Sequence, residues 1–415
     1  RPRAAHLRRG PLTRAARYAP RVPTPDPLDA AAPVATIDLD AIAANAARLR
    51  TRLHGGADLL AAVKADAYGH GLLPVARTLA ATGVRWFGVA TPHEVRTLRD
   101  GGVAGRILVF GPLPAPALPP LLPRGVDLSV ATTDDVAAVA DAAAPLRAAG
   151  ELREDVPLHV AIDTGMGRIG PPPDGVAAVA RAAADLEGVR LEGVWTHFAR
   201  ADEADPAPTD AQHAAYLAAL DALAADGLTP TLAHAANSAA TLAHPATHHD
   251  LVRPGIALYG HAPAPDLADA AADLTPALTL DAPVTFVKDV PAGTAVSYGH
   301  AWTAPRATRI ATVRLGYADG YPRAASNLGD AHLPGGGAAR VVGRVCMDQL
   351  MLDVGDADLA PGDRVTLLAG AGPAGAATLA ARLGTIPYEL LARVGPRVVR
   401  RYRGGGSPSS GDAPG

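Results

Sequence analysis

Lys64, Arg168, His197, His234 and Arg253 are reactive or ionisable side chains, and each stands at or just beyond the end of a short apolar run. Lys64 follows LLAAV, Arg168 comes after LHVAI, and His197 comes after LEGVWT. His234 follows PTLA with Asn237 and Ser238 close behind, and Arg253 lies within LVRPGIALY beside Gly255 and Ile256. A lone lysine or histidine at such a point is most often a solvated loop residue. Their recurrence at the same point of successive runs favours one shared pocket. The segments AANSAA and RPGIAL hold small residues and a glycine, so their backbone N–H groups are open to an anion such as a phosphate. A strand-borne lysine, partly desolvated and facing a phosphate site, has the chemistry of Schiff-base formation with an aldehyde. Pyridoxal phosphate offers both the aldehyde and the phosphate. Aldolase-type barrels use such a lysine without a cofactor, and the lysine alone does not separate the two.

These groups meet only if the chain brings the ends of its apolar runs together. Between Leu59 and Tyr259 the runs LLAAV, WFGVA, RILVF, VDLSV, LHVAI, LEGVWT, PTLA and LVRPGIALY alternate with Ala-rich stretches such as DDVAAVADAAAPLRAA. Short runs read as strands, and the alanines with their Leu and Val stripe read as helices. Eight such repeats predict an α/β fold, an N-terminal (β/α)8 TIM-type barrel whose active site forms at the carboxyl ends of the strands. A doubly wound open sheet is the alternative that alternation alone leaves standing. After Thr275 the texture becomes β-branched and alternating, which predicts a C-terminal mainly-β domain with an Ala-rich helix near Ala376 and another around Tyr388. The expected boundaries are a disordered tail at 1–32, the barrel at 33–273, the β domain at 274–404 and a flexible tail at 405–415.

The 415 residues carry 38 Lys and Arg against 41 Asp and Glu, a net charge of −3, with no strongly basic or acidic interior block. Nothing in this balance favours nucleic acid or a membrane surface as partner. No apolar run approaches the ~20 residues of a bilayer span, and the Arg- and Pro-rich start lacks the apolar stretch of a secretory signal. Cys346 is the single cysteine, so an intrachain disulfide is excluded and a reducing compartment, the cytoplasm, is expected. No metal site is expected.

The stretch AVKADAYGHG around Lys64 resembles the pyridoxal-phosphate attachment motif of the alanine racemase family. The likeness continues in order through IDTGMGRIG from Ile162, THFA from Thr196, HAANSAA from His234 and VRPGIALYG from Val252. VSYG at Val296, GYADGYPR from Gly316, GRVCMDQ from Gly343 and PYE at Pro387 complete it. The resemblance implies an enzyme that interconverts L- and D-alanine with pyridoxal 5'-phosphate, supplying D-alanine for peptidoglycan. It also implies a head-to-tail homodimer whose sites combine one barrel with the β domain of the other subunit.

By the same resemblance, Lys64 would hold the cofactor, and Tyr68, Ser238, Gly255, Ile256 and Tyr388 would contact its phosphate, with Asn237 in the same loop. Arg253 would face the pyridine nitrogen and Arg168 the substrate carboxylate. Lys64 and Tyr298 would exchange protons on opposite faces of the substrate, with His197 near Tyr298 and Arg253. Met347 and Tyr317 would limit pocket size from the second subunit. An arginine at the ring nitrogen disfavours its protonation and so favours racemisation over decarboxylation, for which related enzymes place an acidic residue there. A racemase of broader specificity and a non-catalytic, single-barrel cofactor-binding protein are the rival readings; the second lacks a β domain. Two positions depart from the family pattern. Ala161 stands where many members have a carbamylated lysine that supports the substrate-binding arginine, and Asp66 stands where asparagine is frequent. A water, an anion or another group is therefore expected to position Arg168.

Overall fold

The computed structural model describes residues 31–405, and the tails expected at either end lie outside the described residues except at their inner edges. Strand β1 (Val34–Asp38) leads into the helix Leu39–Arg50, which Asp38 caps by accepting a hydrogen bond from the Ala41 amide at 2.9 Å. Eight strands follow: β2 (Asp58–Ala62), β3 (Trp86–Val89), β4 (Arg106–Val109), β5 (Asp127–Val130), β6 (Val156–Ala161), β7 (Val189–Trp195), β8 (Leu232–His234) and β9 (Leu251–Val252). They pair in parallel in the order β8-β7-β6-β5-β4-β3-β2-β9. The Asp250 amide donates to the Ala233 carbonyl at 3.0 Å and the Arg253 amide to the Ala236 carbonyl at 2.8 Å, which joins β9 to β8 and closes the barrel. The architecture is the closed barrel, not the open sheet.

Residues of β3 and β5 are buried along their whole length; β3 accordingly reads as the unbroken apolar run WFGV, while β5 buries two polar side chains, Asp127 and Ser129. Helices begin where the sequence offers reciprocal caps. Thr91 accepts from the Glu94 amide and Thr132 from the Asp135 amide, while each carboxylate accepts from its threonine's amide in return. One run behaves differently from its composition. In LVRPGIALY only Leu251–Val252 is strand, and Ile256–Tyr259 turns into a 3-10 helix. Pro254 has no N–H for a ladder, and the chain bends at Gly255.

The second sheet is mixed and has eight strands, ordered Thr308–Val313, Leu350–Asp353, Ala338–Val341, Asp330–His332, Arg364–Leu368, β10 (Leu278–Val290), β1 and Val399–Arg403. The 13-residue β10 also pairs with Thr308–Val313, so six of the strands curl into a ring. The helices expected near Ala376 and Tyr388 are Ala376–Leu383 and Pro387–Ala392. The range expected for the barrel begins with β1, yet by its hydrogen bonds β1 belongs to the second sheet, antiparallel to β10 and parallel to Val399–Arg403. Its VATID sequence carries no mark of which sheet it will join. Among the described residues no helix is long and apolar enough to cross a membrane.

Candidate active site

Immediately after β2 the backbone does something rare. Ala65, Asp66, Ala67 and Tyr68 all have φ of 53–54°, a full left-handed turn made of non-glycine residues. Each such residue costs roughly 1–2 kcal/mol relative to the right-handed form. The turn persists because its surroundings hold it. Glu94 accepts from the Ala65 amide at 2.7 Å, and the Asp66 carboxylate accepts from the Leu72 amide at 2.8 Å. Arg400, from the second sheet, reaches Asp66 at 3.2 Å and the Gly69 carbonyl at 3.0 Å. Arg400→Ala is therefore expected to destabilise the chain by about 1–2 kcal/mol, since it removes the ion partner of a half-exposed carboxylate and a donor to the Gly69 carbonyl. Denaturant unfolding measures this, and an unchanged midpoint would show that the turn holds itself.

The turn points Lys64 and Tyr68 into a cavity of about 510 Å³ at the carboxyl ends of the barrel strands. Its wall includes Lys64, Tyr68, Arg168, His197, Asn237, Ser238, Arg253, Gly255 and Tyr388, nine of the residues expected from sequence. No carboxylate side chain is on that wall. Burial lowers the Lys64 pKa below its ordinary 10.5, and the positive charges of Arg168 and Arg253 lower it further against the opposing pull of Glu94. Its Nζ lies 5.7 Å from the centre of the Phe110 ring.

On one side of the cavity Ser238 opens a short helix, and its Oγ accepts from the Gly255 amide at 2.8 Å. The side-chain oxygen of Asn237 is engaged as the cap of that helix, accepting from the Ala240 amide at 3.0 Å. Ile256 is fully buried in the adjoining turn, and its side chain is not part of the wall. A Cβ built on Gly255 would sit 2.2 Å from the Tyr68 hydroxyl, so only glycine lets that phenol approach. Tyr388 lies beside Tyr68, ring centres 6.0 Å apart. Burial pushes the Tyr68 phenol up to about 12 and raises that of Tyr388, so both are neutral O–H groups at neutral pH.

Deeper in the site, Arg253 donates to His234 Nδ1 at 2.9 Å, to the Thr196 carbonyl at 2.7 Å and to the Ala235 carbonyl at 2.9 Å. Its contact with His197 Nδ1 is longer, 3.4 Å. Burial lowers its pKa to about 10, which still leaves a charged guanidinium at neutral pH. The His197 imidazole is driven well below its usual range by burial, then by Arg253, Arg168 and Lys64, so it is neutral.

Three expected residues are elsewhere in the single chain. Tyr298, Met347 and Tyr317 are 71%, 52% and 38% exposed, and none lines the Lys64 cavity. Tyr298 faces a separate surface hollow with Lys288, Ser297, His300 and Cys346. The expected neighbours Tyr298 and His197 are thus not brought together within one chain. Among the described residues Arg168 has no side-chain hydrogen bond or ion pair, and Ala161 is buried opposite Trp195. Sequence reasoning missed Phe110, Ile169 and Trp195 on the wall. Phe110 and Trp195 close apolar runs and read as core; position at a strand end was the available signal.

A closed parallel barrel with a desolvated lysine at its mouth, cationic and hydroxyl groups around it and a β domain behind it defines an enzyme acting on an anionic ligand. Residues 37–263 match the alanine racemase N-terminal domain family and 277–402 the alanine racemase C-terminal domain family. Alanine racemase of Frankia casuarinae is 43% identical over 375 residues, 89% of this chain and 95% of that protein. The enzyme of Beutenbergia cavernae is 44% identical over 380 residues, 89% and 98%. The crystal structure of alanine racemase from D-cycloserine-producing Streptomyces lavendulae superposes with a TM-score of 0.81 at 40% identity, covering 90% of this chain and 97% of that one. The chain belongs to the alanine racemase family, a family of isomerases.

Proposed function

We propose that this protein interconverts L- and D-alanine with pyridoxal 5'-phosphate, by proton exchange between Lys64 on one face of the substrate and Tyr298 of a second copy on the other. The observation that carries the reading is Lys64 itself, a desolvated amine in a cavity whose wall also holds Arg168, Arg253 and the hydroxyls of Tyr68, Ser238 and Tyr388.

The donor set suits the cofactor. Lys64 would hold its aldehyde carbon, the Tyr68, Ser238 and Tyr388 hydroxyls with the Gly255–Ile256 backbone would take the phosphate, and Arg253 would meet the ring nitrogen. The glycine that admits the Tyr68 hydroxyl supports this arrangement. When bound, the cofactor withdraws electrons from the substrate Cα and makes its proton acidic. The protein does the rest. Lys64 takes or returns the Cα proton on its side, and the unpaired Arg168 binds the substrate carboxylate. Arg253, a guanidinium with no proton to give up at neutral pH, would leave the ring nitrogen unprotonated and so favour return of the proton to Cα.

Besides Lys64 and the arginines, the titratable groups on the single-chain wall are the buried phenols assigned to the phosphate and His197, whose imidazole is driven well below its usual range and contacts Arg253. Exposed Tyr298, with Met347 and Tyr317, would complete and narrow the cavity of a neighbouring copy in a head-to-tail dimer. Product D-alanine would serve peptidoglycan, and the single cysteine agrees with a reducing cytoplasm. Chiral chromatography after incubation with L-alanine tests the activity, and failure to form D-alanine, or release of carbon dioxide, would overturn it.

The pKa of Lys64 gives a second check. A lowered pKa means that the neutral, nucleophilic amine dominates from a lower pH than for free lysine. Capture of added pyridoxal phosphate by the cofactor-free protein, followed by absorbance, should rise with pH with a midpoint below 10.5. Arg168→Ala removes one of the charges that lower it and should move the midpoint upward. A midpoint unmoved by that substitution would discount the electrostatic account.

A further inference from the structure

We propose that His159 and Asp127, in the barrel core beneath the site, are positioning residues that aim Arg253 through a hydrogen-bond chain with only one possible direction. This rests on the role of Arg253 in the proposed function. A guanidinium has N–H groups and no lone pair to offer, so its 2.9 Å contact requires His234 Nδ1 to be bare. Neutral His234 therefore carries its proton on Nε2. That atom lies 2.9 Å from His159 Nδ1, which must accept, so the His159 proton sits on its own Nε2. There it meets Asp127 Oδ2 at 3.1 Å. Reversing any link would set two donors, or two lone pairs, against each other.

The chain crosses the barrel from mouth to floor. His234 is the last residue of β8, His159 lies within β6, and Asp127 is the first residue of β5. His234 and His159 are wholly buried and Asp127 is 3% exposed, in a space that barrels ordinarily fill with branched apolar side chains. Each ring is also held from the side. Trp195 lies parallel to His234 within 7°, and Trp86 stands edge-on to His159 at 84°. At the floor Asp127 is fixed by Arg106, which stacks over Trp86 at 4.2 Å and also binds Glu192.

Arg253 needs this support because its charge is buried with no carboxylate partner among the described residues. Its short contacts besides His234 are to two backbone carbonyls, which fix only one end of the fork. The His234 ring fixes the other, and His159 prevents that ring from flipping.

The test compares His159→Leu with His159→Gln in the holoenzyme. The two replacements have similar volume, but glutamine preserves the direction, its oxygen accepting from His234 and its amide donating to Asp127. The leucine variant should lose about tenfold or more in kcat with KM for alanine within about twofold, and shift the visible band of the bound cofactor, while the glutamine variant stays within about threefold of wild type. Equal impairment of the two variants would reduce the role to packing and overturn the proposal. Nitrogen-15 NMR of histidine-labelled wild-type protein provides a check that needs no variant to fold. Protons on Nε2 of both His234 and His159 would support the chain, and a proton on Nδ1 of either would overturn it. The NMR needs no turnover, so these tautomers in a protein without racemase activity would support the chain while overturning the proposed function.

Discussion

Lys64→Ala should abolish racemisation, lowering it by about 10⁴-fold or more, because one side chain is asked to hold the cofactor and to move a proton. The purified variant should also lack the visible absorbance that borohydride removes from the wild type. The remainder of the cavity survives this substitution: the Ser238–Gly255 contact and the Tyr68–Tyr388 pair do not depend on the lysine, so the protein should still bind the cofactor weakly through its phosphate. Unfolding should be little changed, since burying an amine against two guanidiniums is an unfavourable arrangement that alanine relieves. A Lys64→Ala protein that still formed D-alanine at the wild-type rate would remove the lysine from the chemistry altogether.

Tyr298→Phe should leave cofactor absorbance intact and suppress Cα hydrogen exchange chiefly for one enantiomer of alanine, by roughly 10²–10⁴-fold. A 71% exposed phenol contributes little to the fold of its own chain, so the loss would be read in turnover and not in stability. The decisive form of the experiment mixes the two inactive variants. If each site draws its lysine from one chain and its tyrosine from another, random exchange of subunits rebuilds one intact site per hybrid dimer, about a quarter of all sites. Recovery of activity on mixing would establish the shared site, and equal loss of exchange from both enantiomers in Tyr298→Phe would exclude the division of faces between amine and phenol. If no activity returned on mixing although the subunits exchanged, both groups would have to act within one chain.

The barrel was legible because short apolar runs alternate with Ala-rich stretches and several of them end in a change of chemistry, from LLAAV to Lys64 or from LEGVWT to His197. Residues that act from a strand end with an ionisable group were legible for the same reason. Less legible were residues whose importance is conformational or comes from distant packing. Nothing in KADAY indicates a left-handed turn, since alanine and tyrosine prefer other conformations and the turn exists only under the grip of Glu94 and Arg400. The role of Arg400, more than 300 residues from Asp66, is a tertiary fact. Asn237 was assigned to the phosphate side of the site, and its side-chain oxygen is occupied in capping the helix that presents Ser238. His159 sits inside the run LHVAI, and His234 was assigned to the pocket although it lies behind the wall, so their pairing across the barrel was hidden.

The placement of β1 bears on how the molecule can be taken apart. Val34 to Asp38 lie in register beside Val399 to Arg403, so the fold's opening strand and its closing strand are immediate neighbours. A fragment cut at the junction between the two units would leave the barrel trailing an orphan strand and would open a gap in the sheet it abandoned. Chimeras that exchange β domains between relatives should therefore carry their own β1 with them, and the natural seam for such grafts runs through residue 38 as well as the loop before β10.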